Sequence, residues 1–327
     1  MMLDHELKLR RAAKHLQDLD AEIKSWLNAG HYSVRYEFDL ETTWDGPIPP
    51  GLHGVPPGGT AYYLAGGVFI PGQGPGTAPD GAVFGQSVVT AYASVAEQPS
   101  REPISVLIGD ALHNMRSALD TLAYALATAF SQPLTHELAS GSEFPIFGDE
   151  DRKGTTGVGS GLFHQRTRKG LPVRGSGLAK TQGWDPRAQT VVEGLQPYKR
   201  GNDFRSDPLW VLHDLDRVSK HRLLHTGVAS FAGTLWDLEQ FTNVRCFGPG
   251  LIQSFGGAVQ TDTPIGRIIG IHPIDPSSEM HVGINPAMDV AFGDQAPVSV
   301  GQPVLATSNA IYMHIRDFVL PPLARFL

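Results

Sequence analysis

The stretch PISVLIGDALHNMRSALDTLAYAL, residues 103 to 126, carries an apolar periodicity that suits a helix buried along one broad face. At about 100° per residue, Ile108, Ala111, Leu112, Met115, Ala118, Leu119 and Leu122 fill one arc, while His113, Arg116, Ser117 and Asp120 gather opposite it. A helix of this kind must pack against another element, and it sets a compact group of reactive side chains at a fixed spacing. A second segment, LWVLHDLDRVSKHRLLH at 209 to 225, repeats the arrangement with Leu209, Leu212, Leu215 and Leu223 as its apolar side.

The surrounding chain alternates between helical and strand patterns. Residues 3 to 28 read as a first helix, with Leu9, Ala12, Leu16, Leu19, Ile23 and Trp26 spaced by three and four. Tyr32, Val34, Tyr36 and Phe38 alternate as a strand within 31 to 42, and 61 to 71 and 85 to 96 read as further strands of a small antiparallel sheet. Residues 184 to 198 predict a short helix capped by Asp185 with Pro186 in its first turn. A second β-rich region spans 228 to 300, with GRIIGIHPI and MHVGINPAMDVAF as expected partners, and 303 to 326 predicts a closing helix. The fold class is therefore α+β: four main helices, two inserted antiparallel β regions, and one interwoven domain over 1 to 327. The glycine- and charge-rich segment 148 to 183 is expected to be a flexible basic loop within it.

With 327 residues the chain can bury a large core without disulfides, and its single cysteine, Cys246, suits a reducing compartment. The charged N-terminal stretch and the absence of any apolar run of membrane-spanning length point to a cytoplasmic protein with no membrane partner. The net charge of −7 argues against a protein that coats nucleic acid. The charge is uneven, however. Residues 152 to 205 hold 11 Lys and Arg against 3 Asp and Glu, so this segment can meet a polyanion or simply stay solvated.

If the two polar faces meet, His113, Arg116, Asp120, Asp216, Lys220 and His221 form one pocket. Guanidinium offers a permanent bidentate clamp for phosphate, and imidazole titrates near neutrality, so this set suits phosphate chemistry. The same spacing also makes Arg116 and Asp120 an ordinary i, i+4 ion pair and Asp216–Lys220 a packing pair. Asp110 with His113, and His221 with His225, have spacings that could place metal ligands on one helical face. No HExxH or cysteine ligand set accompanies them, so no metal or other cofactor is expected. His213 and Asp214 read as surface residues. The glycine-rich stretches at 72 to 77 and 157 to 161 lack the strand and helix context of a phosphate loop.

The segments His113-Asn114-Met115-Arg116-Ser117-Ala118-Leu119-Asp120 and Asp216-Arg217-Val218-Ser219-Lys220-His221-Arg222, with FPI at 144 to 146 and LQPY at 195 to 198, resemble an uncharacterised bacterial family that shares an HNLRSALDH-type and a DKHR-type helix. At one remove the chain is similar to the HEPN superfamily of metal-independent ribonucleases and nucleotide-binding modules, whose second helix carries an Arg and, after four intervening residues, a His. The resemblance implies a four-helix bundle that binds RNA or a nucleotide, with Arg116 on phosphate. The His position falls on Thr121, so His113 would have to carry the proton, oriented by Asp120. Asn114, Asp216, Lys220, His221 and Arg222 would line the binding site. A homodimer is implied by analogy only. Two alternatives stand beside this one: a non-enzymatic interaction protein whose motifs are packing elements, and a metal-dependent bundle hydrolase.

Overall fold

The computed structural model describes residues 3–45, 62–65, 68–71, 83–99, 101–148, 163–221, 224–242, 245–246, 252–273, 279–294, 296 and 298–327. The fold is α+β. Its elements are helix α1 (Asp4–Asn28), strands β1 (Tyr32–Asp45), β2 (Tyr62–Ala65), β3 (Val68–Pro71) and β4 (Val83–Val95), then helices α2 (Arg101–Phe130), α3 (His136–Gly141), α4 (Gly177–Lys180) and α5 (Pro186–Gly194). A 3₁₀ segment (Pro197–Ser206) leads into α6 (Pro208–Ser219). Strands β5 (Thr226–Thr242), β6 (Arg245–Cys246), β7 (Ile252–Ser254), β8 (Gly257–Val259), β9 (Thr263–Pro273) and β10 (Glu279–Phe292) follow. Helix α7 (Val304–His314), a π-helical turn (Ile315–Val319) and α8 (Leu320–Ala324) close the chain.

Two compact units share these elements. One comprises Met1–Ser25, Pro99–Thr226 and Val290–Leu327, the other Trp26–Gln98 and Gly227–Asp289, so each is assembled from separated stretches of chain. The strands form two antiparallel sheets. The larger runs β1-β4-β9-β6-β2-β3 with β7 added beside β9, and the smaller runs β10-β5-β8. The larger sheet thus draws on both β-rich stretches of the sequence. The expected pairing of GRIIGIHPI with MHVGINPAMDVAF is not made, because β9 bonds to β4 along Phe84↔Pro273 through Ala93↔Thr263, while β10 lies in the other sheet. Alternation tells which face of a strand is buried but not which neighbour it takes.

In the helical unit, α2 packs against α6 and α7, and α6 against α7. The whole apolar arc of α2 from Ile108 to Leu122 is buried, and Ala123, Leu126 and Ala127 prolong it, which is why the helix outlasts its expected end. Helix α5 starts as expected, with Asp185 accepting from Arg187 N and Pro186 at its first position. Helix α6 is shorter than expected. Lys220 N still reaches Asp216 O, but His221 N closes onto Val218 O, a tightened last turn after which the chain heads into β5. His221 and His225 therefore do not share a helical face.

Residues 149–162 lie outside the described residues, but the rest of the expected loop is built into the fold. Phe163 is buried edge-on to Phe147, and Gly177 lets the chain pass directly over the Phe163 ring, where a Cβ would collide. Ser176 caps α4, and Trp184 is buried beyond it. The glycine stretches at 72–77 and 157–161 are outside the described residues. Among the described residues no helix is long and apolar enough to cross a membrane.

Candidate functional site

The polar face of α2 divides into two sites rather than forming one pocket. Towards α6, His113 Nδ1 lies 3.9 Å from Asp216 Oδ1, and Lys220 Nζ lies 2.6 Å from Asp216 Oδ2. Asp216 is 5 % exposed, whereas His113 and Lys220 are 63 % and 52 % exposed. These three residues, with Ser105, Asp110 and Ser219, help line an open cleft of about 290 Å³ whose apolar wall includes Val106 and Leu224. Ser105 Oγ donates to Leu224 O at 2.6 Å, tying the end of the α6 segment to the start of α2. Asp216 Oδ1 makes no hydrogen bond, so a buried carboxylate oxygen faces the exposed imidazole with its second acceptor unused. The arrangement sets a buried carboxylate beside an exposed imidazole and places Lys220 as a cation at the cleft mouth.

Arg116 points elsewhere. Its side chain is only 7 % exposed and bonds Asp120 twice, Nε to Oδ2 at 3.2 Å and Nη2 to Oδ1 at 2.9 Å. Nη2 also donates to Glu143 Oε1 at 2.9 Å and to Phe144 O at 2.8 Å. Phe144 N in turn donates to Asp120 Oδ1 at 3.1 Å. Arg116 and Asp120 therefore bracket both backbone groups of Phe144 and pin the 143–148 segment to α2. The same segment is held from the other side by Gln196, whose Oε1 accepts from Phe147 N at 3.1 Å and whose Nε2 donates to Pro145 O at 2.9 Å. Three of the four segments that carry the resemblance thus form one hydrogen-bonded lock. Burial presses the Asp120 carboxyl above its ordinary range despite Arg116 and the Phe144 amide. For Glu143 burial acts in the same direction, but Lys180, 3.0 Å away, together with Arg116 holds it below its ordinary range.

The remaining expected residues scatter. Asn114 is buried and donates to Asp110 O at 2.8 Å within its own helix. Thr121 likewise bonds back to Ser117 O at 2.7 Å. His221 is exposed and does not line the cleft, and Arg222 lies outside the described residues. Among the described residues no three His, Cys, Asp or Glu gather in an arrangement that could hold a metal ion.

His213 and Asp214, expected at the surface, are half-buried and buried. His213 lies within reach of Arg116, Lys180 and Glu143, brought to α6 by other parts of the chain. Asp214 pairs with Arg217 at 2.6 Å, and the His213 ring lies 5.5 Å from that of Trp210. Burial first, then the charges of Arg116, Lys180 and Arg217, depress the His213 pKa from the ordinary 6.5. The folded protein then holds fewer protons here than the unfolded chain. The stability that neutral His213 contributes is complete above the ordinary value and is lost as the pH falls below it. His5 and His314, also depressed chiefly by burial, act in the same direction. His213→Gln is expected to flatten part of the fall in urea midpoint between about pH 7.5 and about pH 5, and an unchanged fall refutes this.

Compared with models of known protein families, with curated proteins and with solved structures, the chain matches none.

Proposed function

We propose that this chain is a HEPN-like helical protein, with α1, α2, α6 and α7 as its four-helix core, that binds RNA or a nucleotide at the cleft between α2 and α6. It would cleave RNA there without a metal. The observation that carries the reading is the convergence of an exposed His113 and an exposed Lys220 on the buried Asp216. In this reading Lys220 meets a phosphate oxygen. His113, aligned by Asp216, takes the proton of a ribose 2′-hydroxyl as that oxygen attacks the neighbouring phosphorus, and the P–O5′ bond breaks with the 5′-oxygen taking a proton from water, leaving a 2′,3′-cyclic phosphate. Arg116 takes no direct part, because its partners are Asp120, Glu143 and Phe144 O.

The buried Arg116, engaged through Nε and Nη2 with Asp120, Glu143 and Phe144 O, favours a second reading for its half of the motif, that HNxRSALD is a packing element. Both readings are separated by titrating single-stranded RNA and a nucleoside monophosphate at low salt in EDTA. Lys220→Gln is expected to weaken binding about tenfold, and RNA cleavage by the wild type is expected to survive EDTA. A wild-type protein that binds neither ligand leaves only the packing reading.

A further inference from the structure

Residues 164–174 form a small hairpin whose arginines and lysine have no carboxylate partner among the described residues, while His164 at its base faces Glu193 at 3.1 Å. An isolated bridge joins Arg166 to Pro172, Val173 N donates to Gln165 O at 3.0 Å, and Thr167 N donates to Leu171 O at 2.7 Å. Gly170, at φ 78°, turns the tip, and Thr167 Oγ1 accepts from Leu171 N at 3.2 Å. The base is anchored by buried Phe163, whose carbonyl accepts from Leu178 N at 2.9 Å. Arg166, Arg168, Lys169 and Arg174 are all exposed, and no acidic residue occurs between Phe163 and Trp184. Elsewhere in the chain many exposed cations are paired, as Lys14 with Asp18, Lys199 with Glu193 and Arg200 with Asp207.

The geometry points to this hairpin as the docking surface for the phosphate backbone of single-stranded RNA, a conclusion that rests on the RNA-binding reading of the cleft. Two properties favour it over mere solubility. The backbone is already fixed by its own hydrogen bonds, so the four charges are presented with little ordering cost. A chain of net charge −7 repels a polyanion as a whole, so a local group of four cations sets where that polyanion lands. Leu171, 62 % exposed, is the one large apolar side chain at the tip. A single leucine offers too little apolar area to hold a lipid surface, which favours a nucleic acid.

The test is fluorescence anisotropy of labelled oligouridine with the full chain and two charge-matched triples. Arg168→Gln/Lys169→Gln/Arg174→Gln is expected to weaken binding at least about tenfold and to lower the slope of log affinity against log salt by about 2, near 0.7 per lost contact. Lys8→Gln/Arg10→Gln/Arg11→Gln, on α1, removes the same charge and is expected to stay within about twofold. Equal weakening by both triples overturns the hairpin, because net charge alone then explains it. Capture by vesicles of phosphatidylcholine and phosphatidylserine in equal parts, without RNA binding, also overturns it. RNA binding intact in the hairpin triple but lost in Lys220→Gln overturns the hairpin and leaves the cleft standing. The converse supports the hairpin and removes the cleft.

Discussion

Arg116→Met is expected to destabilise the helical unit by about 2–4 kcal/mol, read as a lowered urea midpoint. The loss does not come from a missing cation at a surface. Removing the guanidinium strips Asp120 of its bidentate partner, removes one of the donors to Glu143, and leaves the Phe144 carbonyl without the donor that Arg116 supplies. Asp120 and Glu143 retain some solvent, which keeps the figure below that of a fully buried pair. Arg116→Lys recovers little, since one ammonium cannot span two carboxylates and a carbonyl in the geometry of a planar fork. The interaction energy from Arg116→Met, Asp120→Asn and the double variant is expected to be large, because both residues bracket Phe144. If Arg116→Met instead leaves the midpoint unchanged while abolishing RNA binding, the phosphate-clamp role is restored and the lock is wrong.

This distinction could not be drawn from spacing. The i, i+4 placement of Arg116 and Asp120 and the buried arc of α2 were both legible, since helical periodicity fixes which residues share a face. What one helix cannot reveal is the segment that crosses its polar side. The Phe144 backbone, brought from a different part of the chain, turns half of that side into an interior contact. The same reasoning explains His213. Its neighbours Leu209, Leu212 and Leu215 announced one apolar face, but His213 lies within reach of Arg116, Glu143 and Lys180, which other parts of the chain bring to it, and nothing local to α6 encodes them. The sheets show the limit again: β4 and β9 each carry a strand pattern, yet their pairing is a long-range choice. A basic stretch read from composition as a loose loop became, from Phe163 on, an anchored hairpin, because a few large apolar residues outweigh many polar ones in deciding whether chain is tied down.

His113→Ala is expected to lower RNA cleavage by about 10²–10⁴-fold while leaving RNA affinity within about twofold, because an imidazole that moves a proton acts on the reaction rather than on binding. Asp216 gives the sharper experiment. It lies 3.9 Å from His113, pairs with Lys220 at 2.6 Å and is 5 % exposed, so in the proposed reading it is a positioning residue. Asp216→Asn keeps the shape, loses the charge that holds both neighbours, and is expected to cost about 10–10²-fold in kcat with a smaller change in KM. Asp216→Leu removes a desolvated charge altogether and leaves a Lys220 that is already half exposed, so its cost in stability is expected to stay below that of breaking a fully buried pair. A merely structural Asp216 gives the opposite pattern, with stability changed and cleavage untouched. Cleavage lost in Asp216→Leu at unchanged urea midpoint therefore separates an oriented imidazole from a packing device.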